Sequence, residues 1–230
     1  MMSKIKNIQV LRRICLMLIC MGSLQVFAEL RLPGIIGQNM VLQRNSVVPI
    51  WGWATPGAVI QIAFKGVTYR STTAANGKWL IKLGSYSAGG PFEMDIQGDQ
   101  SSIKLGNIII GDVWLASGQS NMEFGIQTDR DGEDAIAKAT DSMIHFFFVP
   151  WHTSLQRKED IAAAPDGSLN GKWIICTPSA MATRDWAWHG FSATAYYFAQ
   201  DLRKNLGCPV GLIGSYKGAT PAQAWLASMD

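Results

Sequence analysis

Up to Ile110 the apolar positions recur in short runs, VVPIWGW, AVIQIAF, VTYRSTTA, KWLIKL, FEMDIQ and SIKLGNIII, bounded by turn formers such as Thr55-Pro56-Gly57, Asn76-Gly77 and Gly89-Gly90-Pro91. Within AVIQIAF, Ile60, Ile62 and Phe64 fall on one side and Gln61 and Ala63 on the other. Short alternating strands at regular spacing predict an antiparallel sandwich. Asn76-Gly77 between two runs predicts a two-residue hairpin. Trp51, Trp53 and Trp79 read as core residues on these strands, with a platform for carbohydrate as the alternative.

After Gly106 the pattern becomes strand, loop, helix, strand. Ile108 to Ala116 is almost continuously apolar, as a strand covered on both faces of a parallel sheet would be. A short helix is expected over Glu133 to Thr140 and a buried strand over Met143 to Val149. Ser192 is placed to cap a helix whose apolar residues Ala195, Phe198, Leu202 and Leu206 recur at three and four, with Gly207 past its end and Pro209 beyond. Pro209 to Ile213 reads as the next strand, and the tryptophan-rich stretch from Trp151 to Trp188 as mostly loop with one strand near Trp173. The fold class expected is α/β, with an antiparallel β-sandwich over residues 29–107 that folds as its own unit and a parallel-sheet domain over 108–230. A chain ending at Asp230 is expected to leave apolar sheet surface and an unpaired edge beside the strand at Pro209.

Residues 1–28 follow a different grammar. Lys4, Lys6, Arg12 and Arg13 precede an apolar segment, Ile14 to Phe27, and Val26-Phe27-Ala28 gives the small-residue spacing of a signal peptidase site. Cleavage is expected before Glu29, with export to the periplasm or medium and no membrane association afterwards; lipidation at Cys20 is the lesser alternative. The leader holds four basic and no acidic residues, so its removal takes the formal charge from +3 to −1. The remaining Lys and Arg form no basic stripe, and no nucleic-acid partner is expected. Of the cysteines left, Cys176 and Cys208, free thiols are expected rather than a disulfide.

The candidate chemistry lies in GDVWLASGQSNM, Gly111 to Met122, where a strand delivers a serine to the rim of a sheet. Ser120 is the candidate nucleophile. The context is not the G-x-S-x-G elbow of α/β-hydrolases, since Asn121 and Met122 follow the serine. GDVW followed by SGQSNM resembles the first block of the sialate O-acetylesterase family of SGNH-type serine esterases. LPGIIGQNMVLQRNSVVPIWGWATPG, from Leu32 to Gly57, is similar to the opening strands of that family, and FSATAYYFAQDLRKNLGCPVGLIGSYKGATPAQAW, from Phe191 to Trp225, to its second catalytic block. The resemblance implies that residues 108–230 are the amino-terminal part of an SGNH-type three-layer hydrolase domain. It also implies an O-acetylated sugar as substrate, a sialic acid or a related glycan, with acetylated xylan or another plant glycan as the alternative.

The resemblance further implies an oxyanion hole built from the Ser120 N–H, the N–H of a Gly-Gly-Thr turn and a side-chain amide from a later block. Gly218 matches the first glycine. Ala219 stands in place of the second, where a left-handed backbone would be strained by the methyl group, and Gly214 stands where the family commonly has asparagine. A serine needs a base and an orienting group. The Gln-Gly-Glu and Asp-x-x-His blocks that carry these partners are absent, and the histidines present are His145, His152 and His189, for which structural or surface roles are expected. A chain cut before its catalytic histidine is therefore expected, with little activity of its own, and an inactive fragment or a non-catalytic carbohydrate-binding module is the competing reading. No His/Cys cluster and no glycine-rich phosphate loop appears, so neither metal nor cofactor is expected. Asp129, Asp131, Glu133 and Asp134 read as a solvated helix start rather than a calcium loop.

Overall fold

The computed structural model describes residues 29–161, 169–183 and 190–226. The first strands are β1 (Val41–Gln43), β2 (Val47–Trp53), β3 (Val59–Phe64), β4 (Val67–Thr72), β5 (Lys78–Ser85), β6 (Gly89–Gly98) and β7 (Ser101–Gly118). Then follow helix α1 (Ser120–Glu123), a 3₁₀ turn (Ile126–Thr128), α2 (Gly132–Ala137), β8 (Ile144–Phe148), β9 (Trp173–Ile175), α3 (Pro178–Met181), α4 (Ala193–Leu206), β10 (Val210–Tyr216) and a second 3₁₀ turn (Ala222–Trp225). The fold is mixed α/β, as the sequence predicts.

One large sheet runs β4-β3-β6-β7-β10-β8-β9, with β1 also on β7, and a separate two-stranded sheet pairs β2 with β5. The inward residues of the two sheets make one core, including Ile50, Ile60, Ile62, Phe64, Ile81, Leu83 and Ile96. Period-two alternation fixes this: Ile60, Ile62 and Phe64 are buried while Gln61 and Ala63 are only partly so. A second core lies between the parallel strands and α4, around Phe146, Phe191, Tyr196 and Leu212.

The boundary expected between residues 107 and 108 falls inside β7. Its first part pairs antiparallel with β6 and its last part, Asp112 to Gly118, parallel with β10. Ile108, Ile109 and Ile110 belong to the sandwich core. The two regions share a strand instead of a linker.

Three local expectations need correction. Asn76-Gly77 forms a turn, with the Gly77 N–H donating to the Ala74 carbonyl, but joins no hairpin, because β5 pairs with β2 in the other sheet. The tight hairpins are at Lys65-Gly66, between β3 and β4, and at Asp99-Gln100, between β6 and β7, where both central residues have positive φ. In α4 the buried positions are Ala193, Ala195, Tyr196 and Ala199, whereas Phe198 and Leu206 are exposed; small side chains let this helix lie close on the sheet. Its ends are as expected, with the Ser192 hydroxyl accepting from the Ala195 N–H and Gly207 left-handed at the stop. Finally, β10 is central, with β7 and β8 on its two sides. Exposed apolar side chains in this part of the sheet lie on β7 instead, at Trp114 and Leu115.

Candidate active site

β7 ends at Gly118, whose φ of +142° is open to glycine and strained for other residues, and the chain turns there from strand into α1. Ser120 is the first residue of that helix. Beside it, β10 ends at Tyr216 in register with Gly118, and the Lys217 N–H donates to the Gly118 carbonyl. Ser120 and Gly218 thus meet at the carboxyl ends of two adjacent parallel strands, where open α/β sheets place their ligands. A side chain built on Gly218 would stand 3.9 Å from Ser120 Oγ and would collide with the Glu123 carboxylate. A side chain there would displace the Glu123 carboxylate.

The Ser120 hydroxyl donates to Gln119 Oε1 at 2.6 Å. Its own N–H lies in the first turn of α1, where amides have no intrahelical acceptor. The Gly218 N–H does not point into free space: it donates to Oε2 of Glu123. Glu123 is 6% exposed, and a buried carboxylate needs such a donor. Ala219 adopts a left-handed φ of +59°, the strained conformation that its place in the Gly-Gly-Thr motif implies. Thr220 braces the turn by donating to the Lys217 carbonyl and accepting from Trp225 Nε1.

Packing from both sides holds this rim. The Thr194 hydroxyl donates to the Asn121 carbonyl, the Ala193 N–H to the Phe124 carbonyl, and the Ser192 N–H to the Tyr216 hydroxyl. Burial pushes the Tyr216 phenol well above its ordinary value, and the nearby Glu123 charge adds to this; the ring stays neutral. On the other side Trp151 Nε1 donates to the Tyr216 carbonyl while Lys217 Nζ sits 3.5 Å from the Trp151 ring centre.

His145 does not reach this geometry. His145 is fully buried on β8, with Nδ1 2.6 Å from the Asn39 carbonyl and Nε2 3.1 Å from that of Ser142. Burial lowers its pKa, opposed by those two carbonyls. Its register partner on β10 is Gly211, five residues before Tyr216, so it lies about 17 Å from the rim along the strand. His152 is exposed on the segment after β8 and lines a cleft with Pro150, Lys158 and Asp160. His189 lies outside the described residues.

Three of the four clustered carboxylates have protein partners. Asp129 accepts from the Tyr197 hydroxyl, Asp131 from Arg130 and Asp134 from Lys138, at the start of α2. Cys176 and Cys208 are buried free thiols; burial above all pushes Cys176 up to about 12. Sequence reasoning missed Glu123. Its one signal is a carboxylate three residues after the candidate serine on the same short helix, and its acceptor role appears only when Gly218 arrives from 95 residues away.

No family model matches the sequence. The chain is 30% identical over 213 residues to the sialate O-acetylesterase of Homo sapiens and equally to that of Pongo abelii, matching 85% of this chain and 38% of each enzyme. It is also similar to a carbohydrate acetylesterase from Xanthomonas citri known from a crystal structure, at 33% identity and a TM-score of 0.78, with 87% of this chain and 43% of that one covered. The chain therefore spans less than half the length of each of these relatives.

Proposed function

The chain belongs to the sialate O-acetylesterase family, and from that premise we propose that it serves as a serine esterase removing acetyl groups from O-acetylated sugars. The observation that carries this reading is the meeting of the Ser120 hydroxyl with the Gly218 turn at the carboxyl ends of β7 and β10. Ser120 Oγ attacks the acetyl carbonyl, and the oxygen gains negative charge in the tetrahedral intermediate. Collapse expels the sugar alkoxide, which takes up a proton, and leaves an acetyl-serine. Water then releases acetate. The Ser120 N–H meets the developing charge, and the Gly218 N–H joins it once Glu123 moves off; each such donor contributes about 100-fold or more. The base is a histidine other than His145, which is held elsewhere.

The substrate is an O-acetylated sialic acid or a related acetylated glycan, a reading supported by the names of the similar enzymes. We place the work outside the cytoplasm, on the succession of basic residues, apolar run and Val-x-Ala at the amino terminus; sequencing of secreted protein is expected to start at Glu29. A non-catalytic glycan-binding role is favoured by one observation, the occupation of the Gly218 N–H by Glu123. Turnover of 4-nitrophenyl acetate separates the two. Ser120→Ala is expected to reduce it about a thousandfold or more, and unchanged turnover in the variant removes Ser120 from the reaction.

A further inference from the structure

The β2–β5 pair has an inner face in the sandwich core and an outer face that no strand or helix of the described residues pairs with. Register sets Trp51 opposite Leu80 and Trp53 opposite Lys78. Val48, Ile50, Ile81 and Leu83 take the inner positions, so Trp51, Trp53, Leu80 and Lys78 share the outer one. Trp79 points inward and is core. The outer tryptophans are half-buried and Leu80 is 49% exposed. These residues form the floor of a cleft of about 940 Å³ whose walls include Ser71, Asn76 and the segment Arg157 to Glu159. That volume lies in the range of small-ligand sites.

The segment is tethered over the cleft. Asp160 pairs with Arg31 at 2.6 Å and accepts from the Gly34 N–H, and Glu159 pairs with Lys78 at 2.7 Å. Arg31 in turn lies 3.7 Å over the Trp53 ring, which leaves Trp51 as the open aromatic face. Arg157 and Lys158 are exposed and have no ion pair among the described residues. The lining residues therefore combine a flat apolar surface, hydroxyl and amide groups, and unneutralised cations. A pyranose offers the complement: a C–H face for the indole and hydroxyls for the polar wall. A carboxylate on the sugar satisfies the cations, as charge-assisted hydrogen bonds to Arg and Lys do elsewhere.

We propose that this cleft binds a carboxylate-bearing saccharide, at a site separate from the Ser120 rim; for the substrate class the proposal rests on the esterase reading. The geometry also links the two places. The segment that walls the cleft begins at Trp151, which is bonded to the Tyr216 carbonyl at the rim. The six residue-to-residue steps from Trp151 to Arg157 reach about 20 Å at full extension, a distance that a short oligosaccharide spans. The cleft holds the acidic part of a glycan while an acetylated part lies at the rim.

The test is calorimetric titration of the protein with 3′-sialyllactose as the acidic probe and lactose as the neutral one. Sialyllactose is expected to bind about tenfold or more tightly than lactose, with affinity that falls as salt is raised. Exchanging both exposed cations, Arg157→Ala with Lys158→Ala, is expected to remove that preference and its salt dependence. Trp51→Ala and the more exposed Leu80→Ala are expected to weaken both probes, with thermal unfolding as the control for folding. Absence of binding, equal binding of the two probes, or a preference that survives the exchange of both cations overturns the proposal. Turnover of 4-nitrophenyl acetate reads the esterase site independently, so the two readings fail separately.

Discussion

The two ends of β7 are one continuous strand with opposite surroundings. Its Ile108-Ile109-Ile110 stretch lies between β6 and β1 and is fully buried. The stretch from Asp112 onward has β10 on one side only, and there Trp114 is 44% and Leu115 65% exposed. In sequence both read as the same apolar run. Hydrophobicity marks a strand that can be covered on two faces, but neighbours decide whether it is. The buried end ties the sandwich to the sheet, and the open end delivers Ser120 to the rim.

Cutting the strand is expected to have the largest effect. A fragment of residues 29–107 loses three buried isoleucines, each on the order of 2–5 kcal/mol, together comparable with the whole stability of a small domain, about 5–15 kcal/mol. Circular dichroism on heating is expected to show no cooperative transition for 29–107 and a cooperative one for 29–118. Equal cooperativity in the two erases the distinction between the halves. Within the full chain, Ile109→Ala is expected to lower stability by about 2–5 kcal/mol, and Leu115→Ala by no more than about 0.5 kcal/mol. Comparable losses on denaturant titration show that Leu115 is covered.

Asp112 sits at the junction of the halves. It accepts two hydrogen bonds from Arg44, at 2.8 and 2.9 Å, and one from Cys208. The Arg44 bonds hold its carboxyl below the ordinary value, against the effect of burial. A carboxyl lowered in the folded state stabilises above its unfolded pKa, about 3.9, and that contribution fades as pH falls through the folded value. Asp112→Asn is expected to cost about 1–3 kcal/mol at pH 7, with the difference from the unsubstituted protein shrinking below about pH 4. A pH-independent difference assigns the loss to packing.

Much of this was legible in the sequence. Alternation gave the sandwich strands, and the apolar run with its closing small residues gave β7 and the turn carrying Ser120. The Gly218 turn was legible through resemblance, and its strained Ala219 through the missing second glycine. What stayed hidden depends on partners distant in the chain. Asn76-Gly77 marks a turn, yet strand pairing is set by which faces must be buried together, and that sent β5 to β2. Spacing in α4 pointed to Phe198 and Leu206, while close helix–sheet approach selected the alanines. The outer tryptophans divided from Trp79 because alternation through Gly52 puts them on opposite faces of the pair. Glu123 was silent because its donor comes from the Gly218 turn.

The central claim is that Ser120, at the shared rim of β7 and β10, is the nucleophile. Reaction of the protein with a serine-directed fluorophosphonate, followed by mass spectrometry of the peptides, tests it most directly, because the label marks the attacking oxygen itself. The expected result is one phosphonyl group on Ser120, with loss of 4-nitrophenyl acetate turnover in proportion to labelling. Label on another residue, or turnover that persists with Ser120 fully modified, contradicts the account.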